Sequence, residues 1–197
     1  ENYRTTQVPV AYDPDAKAPR FLQFLREIFP EQDGEQKAQA LLELMGYTLM
    51  SHARYSKYAV LLGGGSNGKS VVLDLVAALC GNGNVSSVQP SQFGNTFQRA
   101  HLHLKLANIV NEIKEGAVVD DAALKAITSG DISTVEHKFC EPFEIEPFAT
   151  SWFGTNHLPH TRDHTKAFFR RPVILEFNQE FSQALGNEDP TLKFKLY

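Results

Sequence analysis

Cysteine is scarce in this 197-residue chain: Cys80 and Cys140 are the pair, with neither CxxC spacing nor the density of a disulfide-stapled scaffold. They read as packing residues in a reducing, cytoplasmic setting. Long apolar runs are missing too. None approaches the ~18 consecutive residues of a membrane span, and no secretory leader opens the chain. The first residue is Glu1 rather than Met, which reads as a piece excised from a larger polypeptide. Positive charge has no excess: 19 Lys and Arg face 23 Asp and Glu, a net charge of −4. Of that, −3 falls in residues 1–50 and −1 in residues 51–197. A protein that coats duplex DNA carries a basic face in its composition, so that class is excluded. Any nucleic-acid contact must be local, in a groove or pore lined by a few residues. Repeats and low-complexity tracts are absent. What remains is 42% hydrophobic and 21% charged, an ordinary globular domain long enough to bury a core.

Residues 1–17 are polar and extended, with Asp13-Pro14-Asp15 as a turn signal. Pro19 suits a helix start, Phe21, Leu22, Phe24, Leu25 and Ile28 form an apolar stripe, and Pro30 closes it. A second helix is expected over residues 34–50, with Ala38, Leu41, Leu42, Met45 and Leu49 on one face. These helices make residues 1–52 a small lead-in or docking element that needs the rest of the chain to cover its stripes. From residue 53 on, strands and helices alternate, the pattern of an α/β parallel sheet with helices on its faces. Strands are expected near residues 58–62, 105–110, 149–155 and 173–177. Residues 81–95 read as a loop, 120–129 as a helix and 132–147 as a hairpin.

Gly63-Gly64-Gly65-Ser66-Asn67-Gly68-Lys69-Ser70 fits the phosphate-binding template G-x-x-x-x-G-K-[ST]. An apolar run, Tyr58-Ala59-Val60-Leu61-Leu62, precedes it, and a helical segment follows from Val71. Glycines let backbone N–H groups turn inward around a phosphate, and the helix N-terminus adds its positive dipole end. The nucleotide-contacting set is Gly63, Gly64, Gly65, Ser66, Asn67, Gly68, Lys69, Ser70 and Val71. Lys69 reaches the β- and γ-phosphates and the Ser70 hydroxyl ligates Mg²⁺, so ATP with Mg²⁺ is the implied ligand.

A second apolar run, residues 104–110, ends in Asn111-Glu112. A carboxylate there can orient and deprotonate an attacking water, the role open to Glu112, although a surface Glu closing an ordinary strand has the same sequence. The acid that usually precedes it is replaced by Asn111, whose amide can accept from a metal-bound water but adds no charge. Asn111 and Glu112 complete the metal set with Ser70. Asn156 ends a further strand, where its amide could hold water or the γ-phosphate, or simply form a turn. Phe168-Phe169-Arg170-Arg171-Pro172 leads into the last strand. Two arginines there can reach a neighbour's γ-phosphate, or form a solvated or salt-bridged surface pair.

In order, these elements resemble the superfamily 3 helicases, specifically the helicase part of phage, plasmid and poxvirus-type primase-helicases. The likeness covers nearly the whole chain. Residues 8–22 resemble the family's helical lead-in, 63–70 its Walker A loop and 106–112 its Walker B strand. Residues 124–148 resemble its B-prime region, Thr155-Asn156-His157-Leu158-Pro159 its motif C, and Phe169-Arg170-Arg171 its arginine-finger segment. The resemblance implies an AAA+-like ATPase core over residues 53–197, truncated at its C-terminal part, that assembles as a homo-oligomeric ring, a hexamer, with ATP at each interface. It implies Glu112 as water activator, Asn156 as sensor, and Arg170, or else Arg171, as a finger acting in trans. Lys138, with His137 beside it, would grip single-stranded DNA from a hairpin, although the family often has a second cation at the position of His137. Lys125 would reach the neighbouring phosphate or cap its helix. A primase portion of the same polypeptide is implied upstream, a winged-helix tail downstream, and a host-cell cytoplasm if a phage or plasmid encodes the chain. Two rival functions fit parts of this pattern: an ATP-binding replication scaffold without turnover, signalled by Asn111, and a small-molecule P-loop kinase, which leaves Asn156 and the arginine pair unexplained.

Overall fold

The computed structural model describes residues 6–113 and 116–196. The lead-in is irregular from Thr6, with the expected turn held by Asp13, whose carboxylate accepts from the Asp15 N–H; residues 1–5 lie outside the described residues. Helices α1 (Pro19–Ile28) and α2 (Gly34–Thr48) follow. Then come β1 (Tyr58–Leu62), α3 (Lys69–Cys80), β2 (Val85–Ser86), α4 (Thr96–Arg99), β3 (Ala107–Val110) and α5 (Asp121–Ser129). The chain continues through β4 (Ser133–Val135), β5 (Phe143–Ile145), β6 (Thr150–Thr155), α6 (Lys166–Phe169), β7 (Pro172–Glu176) and α7 (Leu192–Leu196). Five strands form one parallel sheet in the order β2-β3-β6-β1-β7, and β4 and β5 form a separate antiparallel hairpin. A sheet covered on both faces needs apolar side chains on both sides of its central strands, as β3 and β6, buried along their whole length, show.

One face of the sheet packs on α1, α2 and α3. Phe24, Leu25 and Ile28 of α1 and Leu41 and Leu44 of α2 share a single apolar cluster with Leu61, Val72, Leu73, Val76 and Trp152. Trp152 is fully buried, and its indole N–H donates to the Thr48 hydroxyl at 3.0 Å, fastening α2 to the middle of the sheet. The expected apolar faces shift by a residue or so: Leu22 and Leu42 are exposed, whereas Leu44 goes inside. The opposite face buries Phe93, Leu102, Val119, Leu124, Ile127 and Phe168 against Tyr58, Val60, Val110 and Phe153.

Residues 81–95 are not simply a loop. They contain β2, an edge strand of two residues whose addition depends on one side chain. Asn108 on β3 is fully buried; its Oδ1 accepts from the Val88 N–H at 2.7 Å and the Ser86 hydroxyl at 3.1 Å, and its Nδ2 donates to the Val88 carbonyl at 2.9 Å. A side chain thus replaces the ladder that two residues cannot supply, which propensity alone does not reveal. Asn108→Ala leaves a buried N–H and C=O unpaired, an expected loss of about 2–4 kcal/mol. For a domain of this size the melting midpoint falls by roughly 5–15 °C in calorimetry.

Of the two cysteines only Cys80 is a packing residue, with burial pushing its thiol up to about 11. Cys140 is exposed on the loop between β4 and β5, because that loop leaves the body of the domain.

Candidate nucleotide-binding site

All five strands of the main sheet run the same way, so their carboxyl ends fall on one edge. Ligands of open parallel sheets bind along that edge. The glycine loop leaves β1 there, Asn111 and Glu112 leave β3, and Asn156 leaves β6. Because β6 lies between β3 and β1, with Val110 opposite Phe153 and Leu62 opposite Thr155, Asn156 stands between the loop and Glu112. The expected set Gly64, Gly65, Ser66, Asn67, Gly68, Lys69, Ser70, Val71, Asn111, Glu112 and Asn156 lines one cavity of about 450 Å³. That volume suits a nucleotide-sized ligand. Gly63 is tucked beneath it, its N–H donating to the Thr155 carbonyl at 3.1 Å.

Two glycines are required by geometry. Gly68 has φ +91° at the start of α3, and a Cβ there would lie 2.8 Å from Ile28 Cγ2, so α1 closes directly on the loop. A Cβ on Gly154 of β6 would lie 2.3 Å from the Asn111 carbonyl, so the tip of β3 can sit this close only beside glycine.

Lys69 is only 9% exposed. Its ammonium donates to the carbonyls of Gly63 and Gly64, each at 2.6 Å, and to Asn67 Oδ1 at 3.0 Å, and lies 3.4 Å from Asn156 Oδ1. Burial lowers its pKa, and the Glu112 carboxylate partly offsets that. Asn67 anchors the loop: its amide N–H group donates to the Gly64 carbonyl and to the Phe177 carbonyl just past β7. The three ammonium N–H groups are taken up by oxygens of the loop, and phosphate oxygens are acceptors of the kind that can replace them. The hydroxyl and amide or carboxylate oxygens of Ser70, Asn111 and Glu112 are hard donors of the kind Mg²⁺ takes, partly through water.

Lys69→Ala is expected to lower affinity for a triphosphate at least ~30-fold in titration calorimetry, the loss that accompanies removal of a buried charge partner. Stability should fall by roughly 1–3 kcal/mol, because the Gly63 and Gly64 carbonyls and Asn67 Oδ1 lose the donor that Lys69 supplies.

The far wall of the cavity carries residues outside the expected site set. Arg20, Phe24 and Glu27 come from α1, and Phe181, Asn187, Asp189, Leu192 and Lys193 come from the segment after β7. Arg20 donates to Glu27 through both terminal nitrogens at 3.1 Å, and the Phe181 N–H donates to the Ser66 carbonyl at 2.7 Å, drawing the last segment over the loop.

The arginine pair lies elsewhere. Tyr58 pairs with Pro172 and Leu62 with Glu176, so Arg170 and Arg171 precede β7 at the amino edge of the sheet. They stand a strand's length from the glycine loop, about 16 Å at ~3.3 Å per residue. Arg171 is 8% exposed and its guanidinium is held by the Ala167 carbonyl and the Ser129 hydroxyl. Arg170 is exposed, and its hydrogen bonds are made by the backbone: its N–H donates to the Lys166 carbonyl at 3.1 Å and its carbonyl accepts from Lys57 at 2.5 Å. Lys125 pairs with Asp163 at 2.6 Å, holding the loop after β6 to α5. His137 and Lys138 are exposed on the hairpin; the His137 ring leans on Phe143, centroids 5.2 Å apart.

Fold and site together define an α/β domain with an all-parallel five-stranded sheet and a glycine-rich loop at its carboxyl edge. The chain belongs to the DUF5906 family, a family of unknown function, whose model matches residues 61–171. That match begins at the glycine loop's strand and ends at Arg171. The chain is 23% identical over 95% of its length to protein 184R of Invertebrate iridescent virus 6, provisionally named a helicase. Its fold is shared with solved structures. It matches the C-terminal region of NrS-1 with a TM-score of 0.66 at 18% identity over 95% of the chain. JCV helicase follows with 0.56 at 12% identity over 83%. The chain spans 21% of the length of the iridescent virus protein, 43% of the NrS-1 chain and 46% of the JCV chain. Among the described residues no helix is long and apolar enough to cross a membrane.

Proposed function

We propose that this chain is the ATP-hydrolysing motor domain of a DNA helicase of the phage and plasmid primase-helicase type, working as a ring on single-stranded DNA. One observation carries the proposal: Lys69, Asn111, Glu112 and Asn156 face one cavity above the glycine loop, delivered by three different strands.

Lys69 binds the β- and γ-phosphates of ATP, exchanging loop carbonyls for phosphate oxygens. Glu112 orients and deprotonates the attacking water, and Asn156, beside Lys69, senses the γ-phosphate. Ser70, with Asn111 and Glu112 through water, would hold Mg²⁺, which neutralises charge developing on the phosphates. Arg170 and Arg171 stand at the far edge of their own sheet, so an arginine finger drawn from this pair acts on the site of a neighbouring copy. Arg170 is the finger, since its side chain is exposed, whereas Arg171 is buried and braces α6 against α5. Closure of that seam on ATP and its release on hydrolysis would move the hairpin bearing Lys138, with His137 at its base. Residues 1–52 form the docking element and 53–197 the ATPase core, with a primase portion elsewhere in the same polypeptide and a hexameric ring in the cytoplasm.

The iridescent virus relative's name and the fold shared with JCV helicase support this reading. The rival is a replication scaffold that binds ATP without turnover, which Asn111 in place of an acid would favour. Phosphate release by the native chain decides: turnover stimulated by single-stranded DNA supports the motor. ATP binding with no release at any DNA concentration supports the scaffold, and stimulation by a small hydroxylic acceptor instead of DNA would point to a kinase.

A further inference from the structure

Phe139, at the tip of the β4–β5 hairpin, is 95% exposed. Its backbone has φ +65°, a left-handed conformation that bulky residues adopt at a cost. Exposure and backbone strain together are unfavourable, and no apolar side chain among the described residues covers the ring. The hairpin beneath is firmly built. Val135 and Ile145 are buried against Ala100, Glu136 accepts from the Thr96 hydroxyl at 2.6 Å, and Arg99 donates to the Thr134 carbonyl at 3.0 Å. The Phe143 ring sits between His103 and His137. The tip therefore holds Phe139 out from a fixed base.

Charge at the tip is the second observation. From His137 to Glu141 the cation Lys138 is balanced by Glu141, and Glu136, Glu144 and Glu146 lie just below. A hairpin of this composition cannot hold a polyanion by charge alone. Lys138 stands 5.1 Å from the Phe139 ring centroid, so cation and aromatic face form one platform.

We propose that Phe139 is a base-stacking residue: it takes an unpaired base of single-stranded DNA on its ring while Lys138 meets the adjoining phosphate. This deepens the DNA grip proposed above and rests on it. Stacking is tolerant of sequence because every base has a π face, which suits a contact that must be made and released along a strand. It is also insensitive to salt, unlike phosphate contacts.

The test is fluorescence anisotropy of the whole 197-residue chain with ATP, on a labelled oligothymidylate and on an abasic strand of equal length. The native chain should prefer the strand with bases about 5- to 100-fold. Phe139→Ala should abolish that preference, and Phe139→Trp should keep it. Lys138→Ala should weaken both strands alike and flatten the slope of log affinity against log salt by ~0.7 per phosphate lost. Equal affinity of the native chain for both strands, or an equal loss on both in Phe139→Ala, overturns the stacking role and leaves the DNA grip standing. Binding of neither strand overturns the grip and the stacking role together.

Discussion

Arg170→Ala should lower ATP turnover by about 10³- to 10⁵-fold, the contribution of a guanidinium that meets the transferred phosphoryl group. Its folding should be unchanged, because the Arg170 side chain is exposed and the bonds the residue makes to Lys166 and Lys57 are from its backbone, which alanine keeps. Mixing Arg170→Ala with Lys69→Ala, each inactive alone, should restore part of the rate. In the mixture some seams join an intact glycine loop from one copy to an intact Arg170 from the next. A finger acting within its own subunit could not be rescued in this way. Arg171→Ala supplies the contrast: it removes a buried guanidinium bonded to the Ala167 carbonyl and the Ser129 hydroxyl, so its effect should register as a lowered melting midpoint.

Glu112→Gln should separate binding from chemistry. The amide keeps the size of the side chain and a hydrogen-bonding oxygen but cannot take a proton from water, so phosphate release should fall by about 10²- to 10⁴-fold. ATP should still bind, since Lys69 and the loop are untouched. The substitution also removes the negative charge that raises the Lys69 pKa, a small effect beside the continued burial of that lysine. Nucleotide retained per protomer, measured beside phosphate release, checks both halves. A Glu112→Gln protein that hydrolyses ATP at the native rate would strip this residue of its role and leave it a surface glutamate at a strand end.

Much of this arrangement was legible before the structure. The glycine loop is written locally: the turn, its lysine and the helix after it are consecutive, so a template captures them. The strands carrying Asn111–Glu112 and Asn156 were visible as apolar runs, and their parallel alternation with helices placed their ends on one edge. Strand bounds were right to within two residues, with β3 starting at Ala107 and β7 at Pro172. What was not legible depends on single side chains acting across the fold. Asn108 looks like a polar flaw in an apolar strand, and only the structure reveals it clamping β2. Phe24 reads as part of a helix stripe and Arg20 as part of the lead-in, yet both wall the cavity because α1 packs against the loop at Gly68. In the segment after β7 Phe181 contacts the loop through its backbone N–H, a bond that no side-chain pattern in the sequence announces. Arg170 and Arg171 are adjacent and chemically identical. Only burial tells them apart.

The seam between copies is the centre of this account, and specific activity against protein concentration tests it most directly. With ATP saturating and single-stranded DNA present, phosphate release per protomer should climb steeply with protein concentration and level off as rings fill. A rate per protomer that stays constant down to concentrations where sedimentation shows only monomer would contradict it.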